Sequence, residues 1–171
     1  VEDCGADAGS LTADVNPVQL AGANVSISAT ENIAPTVPAN YEVLYVLTSG
    51  AGLIIEDAGT SPSFEVTAAG LYTIHTLVAE TTDTTDPNYL DLNVIEFGTT
   101  PASAVIDIVT NNGLCAALDV AGAPINVEDC TADAGTLSAD ASPVQLAGAS
   151  VTISATQNAA PTVPANYEVL Y

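Results

Sequence analysis

The chain has 171 residues, 48% of them hydrophobic and only 12% charged, and every charged side chain is acidic: 21 Asp plus Glu, no Lys, no Arg, net charge −21. That balance excludes electrostatic binding of nucleic acid, which needs cations against phosphate, and argues equally against anionic membrane surfaces. It also forbids salt bridges to Lys or Arg and Lys–Asn crosslinks, and it leaves trypsin no site.

In chain order, residues 1–9 (VEDCGADAG) are small or acidic and read as a junction. Ser10 to Asp14 is a short strand. Pro17 follows, then Val18-Gln19-Leu20 and a turn at Ala21-Gly22-Ala23. Asn24 to Thr30 (NVSISAT) alternates polar and apolar with period two, the pattern of a half-buried strand. Residues 31–40 hold two prolines and read as a loop. Tyr41 to Thr48 (YEVLYVLT) is apolar on both faces and is expected at the centre of a sheet. A turn at 49–52 leads into a strand over Leu53–Glu56, and Asp57 to Pro62 reads as a second turn. Strands follow at Ser63–Thr67 and Leu71–Val78. Residues 80–90 (ETTDTTDPNYL) form a polar, acidic loop. Leu92–Phe97 and Ala104–Val109 are further strand candidates, Asn111-Asn112-Gly113 is a turn signal, and 114–129 supplies the last strand. No segment shows a clear helical period, and turn signals recur about every 8–12 residues, so an all-β sandwich of the immunoglobulin-like kind is expected.

The first 45 residues then return. Positions 127–171 repeat 1–45 at an offset of 126, with 36 of 45 residues identical and mostly mild changes such as Ser10 to Thr136 and Ser26 to Thr152. Near-identity over such a length marks a tandem array. A complete repeat is expected over 1–126, with 127–171 the start of a second. That second copy is either a window cut from a longer array or a partial domain completed by a neighbouring subunit. The period exceeds the ≈100 residues of a plain immunoglobulin domain, and the surplus is expected around 80–103.

The phrases CTADAGTLSAD, PVQLAG, VPANYEVLYVLTSG, FEVTAAGLYTIHTLV and LCAALDVAGAPINVEDC resemble the tandem immunoglobulin-like repeats of giant cell-surface proteins of Bacteroidetes, of the gliding-motility adhesin type. The resemblance implies export by the type IX route, an extracellular or cell-surface location, a long fibrous architecture and an adhesive or structural role, with no catalytic residues. Some members of that group carry a Cys where Gln19 and Gln145 stand here, a departure that leaves Cys4 without that local partner. Gly70-Leu71-Tyr72-Thr73-Ile74 is similar to the tyrosine corner of such domains, in which Tyr72 would bond back to the upstream backbone.

Three cysteines occur, Cys4, Cys115 and Cys130, and Cys130 is the repeat equivalent of Cys4. One disulfide per repeat is expected. Cys4–Cys115 would lock the ends of one unit together, whereas Cys115–Cys130 would staple one unit to the next, and the mechanical logic of a pin at each joint slightly favours the staple. Glu80, Asp83, Asp86 and Asp91 cluster in one loop with Asn88, and Glu128, Asp129 and Asp133, repeats of Glu2, Asp3 and Asp7, lie at the junction. Calcium, which takes six to eight oxygen ligands, is the one cofactor either group could hold, although the spacing matches no EF-hand; a solvated acidic face is the plainer reading. His75, the only histidine, has no Ser or Cys motif beside it and reads as a packed strand residue. No nucleophile elbow, zinc-protease motif or P-loop is present, so no enzyme is expected. No run of 18 apolar residues occurs for a helical span, and any export signal is expected outside this stretch. The expected partners are copies of itself along a fibre, by tandem linkage or strand exchange. The alternative is a carbohydrate- or surface-binding adhesin module, with or without calcium.

Overall fold

The computed structural model describes residues 4–164 and 167–171. The chain divides into two compact units, Val1–Asp129 and Cys130–Tyr171. The first unit is built on strands: β1 (Ser10–Ala13), β2 (Val18–Leu20), β3 (Val25–Ile33), β4 (Glu42–Ser49), β5 (Ile54–Gly59), β6 (Ser63–Val66), β7 (Gly70–Ala79), β8 (Ala117–Leu118) and β9 (Ala123–Asp129), with one 3-10 turn at Leu92–Val94 and one helix, α1 (Ala102–Asn112).

These strands form two sheets. One has the order β1-β3-β6; the other runs β2-β9-β7-β4-β5, with β8 paired to β7. Alternation along each strand explains how they meet. Ile27 and Ala29 of β3, Leu11 of β1 and Phe64 and Val66 of β6 point to one side, and they share a single buried cluster with Tyr45, Leu47, Ile74, Ile125 and Val127 from the larger sheet. β4 lies between β5 and β7, which is the central position its sequence predicts. Its two apolar faces have separate partners. Tyr45 and Leu47 enter the core between the sheets, whereas Val46 turns to a second cluster with Ile55, Leu77, Leu90, Ala102 and Val105.

That second cluster is where the structure departs from the sequence-based expectation. Ala104–Val109 is not a strand but the middle of α1, and Leu92–Val94 is a 3-10 turn. The helix lays Ala102 and Val105 on the sheet, with Ile108 and Val109 packed beside them, a spacing of three and four that the short apolar run conceals. Asn111-Asn112-Gly113 is its C-terminal cap and not a hairpin turn. Gly113 is left-handed (φ 64°, ψ 32°), and its N–H points back to the Thr110 and Val109 carbonyls. β5 also runs on through Gly59, so the turn expected from Asp57 begins three residues later. The first compact unit runs three residues into the second copy of the repeat, to Asp129, because Val127, Glu128 and Asp129 pair in parallel with Val18, Gln19 and Leu20.

The second unit repeats part of this pattern. β10 (Thr136–Ala139) pairs with β11 (Ala155–Ala159), and the register, including its bulge, is that of β1 on β3 shifted by one repeat. The Asp7–Thr36 bridge recurs as Asp133–Thr162. Gly9 and Gly135 both sit in the left-handed region, at φ 63° and 68°, and a Cβ at either would run into the carbonyl of Ile33 or Ala159. Gly9→Ala is therefore expected to cost at least about 1 kcal/mol of stability, read from a shift in the urea midpoint at unchanged slope.

Candidate functional site

The acidic residues were the leading site candidates, and their geometry is local. Glu80 follows β7 directly, with its side chain fully buried. Its Oε1 accepts the backbone N–H of Thr82 and Asp83 at 2.7 and 2.8 Å and the Thr82 hydroxyl at 2.7 Å. Those bonds, the Asp83 N–H first among them, hold the carboxyl below its ordinary value. Asp83 accepts from the N–H and hydroxyl of Thr85, Asp86 from the N–H of Asn88, and Asp91 from the N–H of Asn93. Each carboxylate caps backbone donors two or three residues ahead, the habit of Asp in tight turns. The loop uses its acids to order itself.

At the junction Asp133 follows the same habit. Asp133 caps Gly135, as Asp7 caps Gly9. Glu128 is exposed on β9 and accepts from Gln19 Nε2 at 2.8 Å and Asn126 Nδ2 at 2.9 Å. Asp129 ends β9 opposite Leu20. Glu2 and Asp3 lie outside the described residues. Among the described residues no three of His, Cys, Asp or Glu converge as a metal-binding group.

Cys4 and Cys115 form a disulfide with Cα atoms 5.2 Å apart, and Cys130 is a free thiol. The bond therefore closes one unit on itself, and the Cys115–Cys130 staple that the sequence slightly favoured is not made. Both bonded cysteines belong to the first compact unit, whose fold brings them together, whereas Cys130 opens the second. Asn88 Oδ1 accepts the Cys115 N–H at 3.0 Å, which fixes the chain after α1. Cys4 lies exposed, three residues before the Asp7–Thr36 bridge.

Tyr72, the candidate corner residue, donates its hydroxyl to the Ala68 carbonyl, four residues upstream, at 3.0 Å. Burial pushes its pKa up. Tyr45 donates to Glu31 at 2.7 Å, and burial together with that bond pushes it up to about 12.

The group that sequence reasoning set aside forms an enclosed polar network. His75 is buried; its Nδ1 donates to the Asp119 carbonyl at 2.9 Å, and its Nε2 meets the Thr48 hydroxyl at 3.0 Å. Burial lowers its pKa below 6.5. The ring borders an apolar cavity of about 80 Å³ between β4, β5 and α1, lined by Leu44, Val46, Leu77 and Val105. The network ties β4, through Thr48, and β7, through His75, to the turn at Asp119. Because the folded imidazole resists protonation, the unfolded chain takes up the proton first. The stability owed to neutral His75 is complete above about pH 6.5 and is lost as pH falls below it. Urea midpoints are expected to fall between about pH 7.5 and 5.5, and His75→Gln is expected to flatten that slope.

No helix among the described residues is long and apolar enough to cross a membrane, and the disulfide fits an oxidising, non-cytoplasmic compartment. No protein-family model, no curated protein and no solved structure matches the chain.

Proposed function

We propose that this chain is a structural and adhesive repeat of an extracellular filament or cell-surface fibre, built from immunoglobulin-like units in tandem and performing no chemistry, as its resemblance to Bacteroidetes surface repeats implies. One observation carries the reading: 45 residues recur at 80% identity, and the second copy retraces the same hairpin, register and turn glycine as the first. An array built this way has one local design at each junction. The acids of the 80–91 loop cap turns, the lone histidine is sealed between layers, and the disulfide closes a unit, so these side chains serve the fold.

Electron microscopy of the native material tests this. Long fibres with one regular axial repeat are expected. Isolated beads or short rods, together with glycan binding by a single unit, would overturn the fibre reading in favour of a carbohydrate-recognising module.

A further inference from the structure

The disulfide has a second consequence once the chain is placed under tension. Cys4 stands at the start of the first unit, and its partner Cys115 is 111 residues further on, just before β8 and β9. β9 ends at Asp129, and the next residue, Cys130, occupies the position of Cys4 in the following copy. No free residue separates the last strand of one copy from the cysteine of the next.

A pull along the chain therefore meets a branch at Cys4. One route runs through residues 5–114, which include β1 to β7 and α1. The other crosses the sulfur–sulfur bond to Cys115 and leaves through β8 and β9. The second route is far shorter and is covalent throughout. We propose that the Cys4–Cys115 disulfide is a tension shunt: it carries force past residues 5–114 and limits how far each unit can lengthen. The proposal rests on the fibre reading only for the source of the force.

The magnitudes separate the two routes. From Cys115 to Cys130 is fifteen residue steps, or about 50 Å fully extended at ~3.4 Å per residue. From Cys4 to Cys130 along the whole backbone is 126 steps, or about 430 Å. The shunt reduces the reach of a unit about eightfold. It also confines the strained secondary structure to the exit segment. β9 is held on one edge by β7 and on the other by β2. The β2 side is reinforced where the Asn126 N–H donates to Asn16 Oδ1 at 3.0 Å and Gln19 Nε2 donates to Glu128 at 2.8 Å. Residues 5–114 stay out of the path. Cys4 is exposed, so an external reductant can reach the bond.

Single-molecule stretching of the full 171-residue chain tests the shunt, with one handle at the N-terminus and the other on the free Cys130 thiol. The oxidised chain is expected to show no lengthening step beyond about 50 Å. After a dithiol reductant is added to the same tethered molecules, a step of several hundred ångströms is expected, approaching the ~430 Å of the open chain less its folded span. Cys4→Ser/Cys115→Ser, which leaves Cys130 as the only thiol for the handle, should give the long step without reductant; if that variant does not fold, the wild type reduced in place provides the same reading. A long step in the oxidised chain, or equal steps before and after reduction, would overturn the proposal. The fibre reading fails separately. Beads in the native material would remove it while leaving the short oxidised step intact, and a long oxidised step would remove the shunt while leaving the fibres.

Discussion

Opening the Cys4–Cys115 bond is expected to cost the first unit about 4.7 kcal/mol, the chain-entropy value for a closed loop of ~100 residues. The size follows from where the bond sits. Its ends are 111 residues apart, so in the unfolded chain it ties together almost the whole domain, and cutting it restores that freedom. The measurement is a urea or guanidinium titration of Cys4→Ser/Cys115→Ser in a Cys130→Ser background, which prevents the free thiol from forming a substitute bond. The same titration on the Cys130→Ser parent supplies the reference. Thiol counting provides the companion result. The native chain should expose one reactive thiol, Cys130, and the reduced, unfolded chain three. Peptide mapping that found Cys115 joined to Cys130 would contradict the fold at this point.

The second large effect is a contrast between twins. Ile27 and Ile153 are the same residue of the repeat in nearly the same sequence, yet Ile27 is 1% exposed and Ile153 76%. Ile27→Ala removes three carbons from the cluster shared by both sheets and is expected to cost about 2–5 kcal/mol, from lost transfer energy and the cavity left behind. Ile153→Ala is expected to stay within about 0.5 kcal/mol, because the side chain is already in water. Leu11 and Leu137, at 7% and 53%, should show the same asymmetry in milder form. Denaturation of the four single variants gives the comparison directly, and equal costs for Ile27 and Ile153 would mean that the second copy is packed as fully as the first.

Much of the fold was legible in advance where a strand has one wet face. β3 shows its period of two in NVSISAT, and the inward set Ile27 and Ala29 is the one the alternation names. The doubly apolar run of β4 correctly placed it mid-sheet, because only a strand covered on both sides keeps apolar residues on both. α1 was not legible. Its run SAVIDIV is short enough to pass for a buried strand, its N-terminal boundary residue is Pro101 with no side-chain cap, and its opening residues carry no acid. The sign that was present, Gly113 after the run, serves equally as a turn residue and a helix cap. The acids of the 80–91 loop were visible as a cluster, but composition does not say which donor each faces. The answer, backbone N–H groups two or three residues ahead, depends on the local turn.

The repeated segment divides what sequence alone determines from what tertiary structure decides. Both copies form the Asp–Thr bridge, the left-handed glycine and the bulged hairpin. In both, an aspartate at the hairpin end is gripped by hydroxyls from the opposite strand: Asp14 by Ser28 and Thr30, and Asp140 by Thr156, with Ser154 helping to hold its pKa down. These contacts lie within about thirty residues of one another, so the chain carries all the partners they need wherever the segment occurs. The strands at 18–20, 25–28 and 42–45 exist in the first copy alone. There they pair with β9, β6 and β7. At 144–146, 151–154 and 168–171 the same residues form no strand. A strand's N–H and C=O groups do as well with water until another edge is offered, and its apolar face gains nothing until a second layer removes water from it. Local sequence therefore suffices for the hairpin, and only residues 46–129, folded against it, make the rest of the segment a sheet.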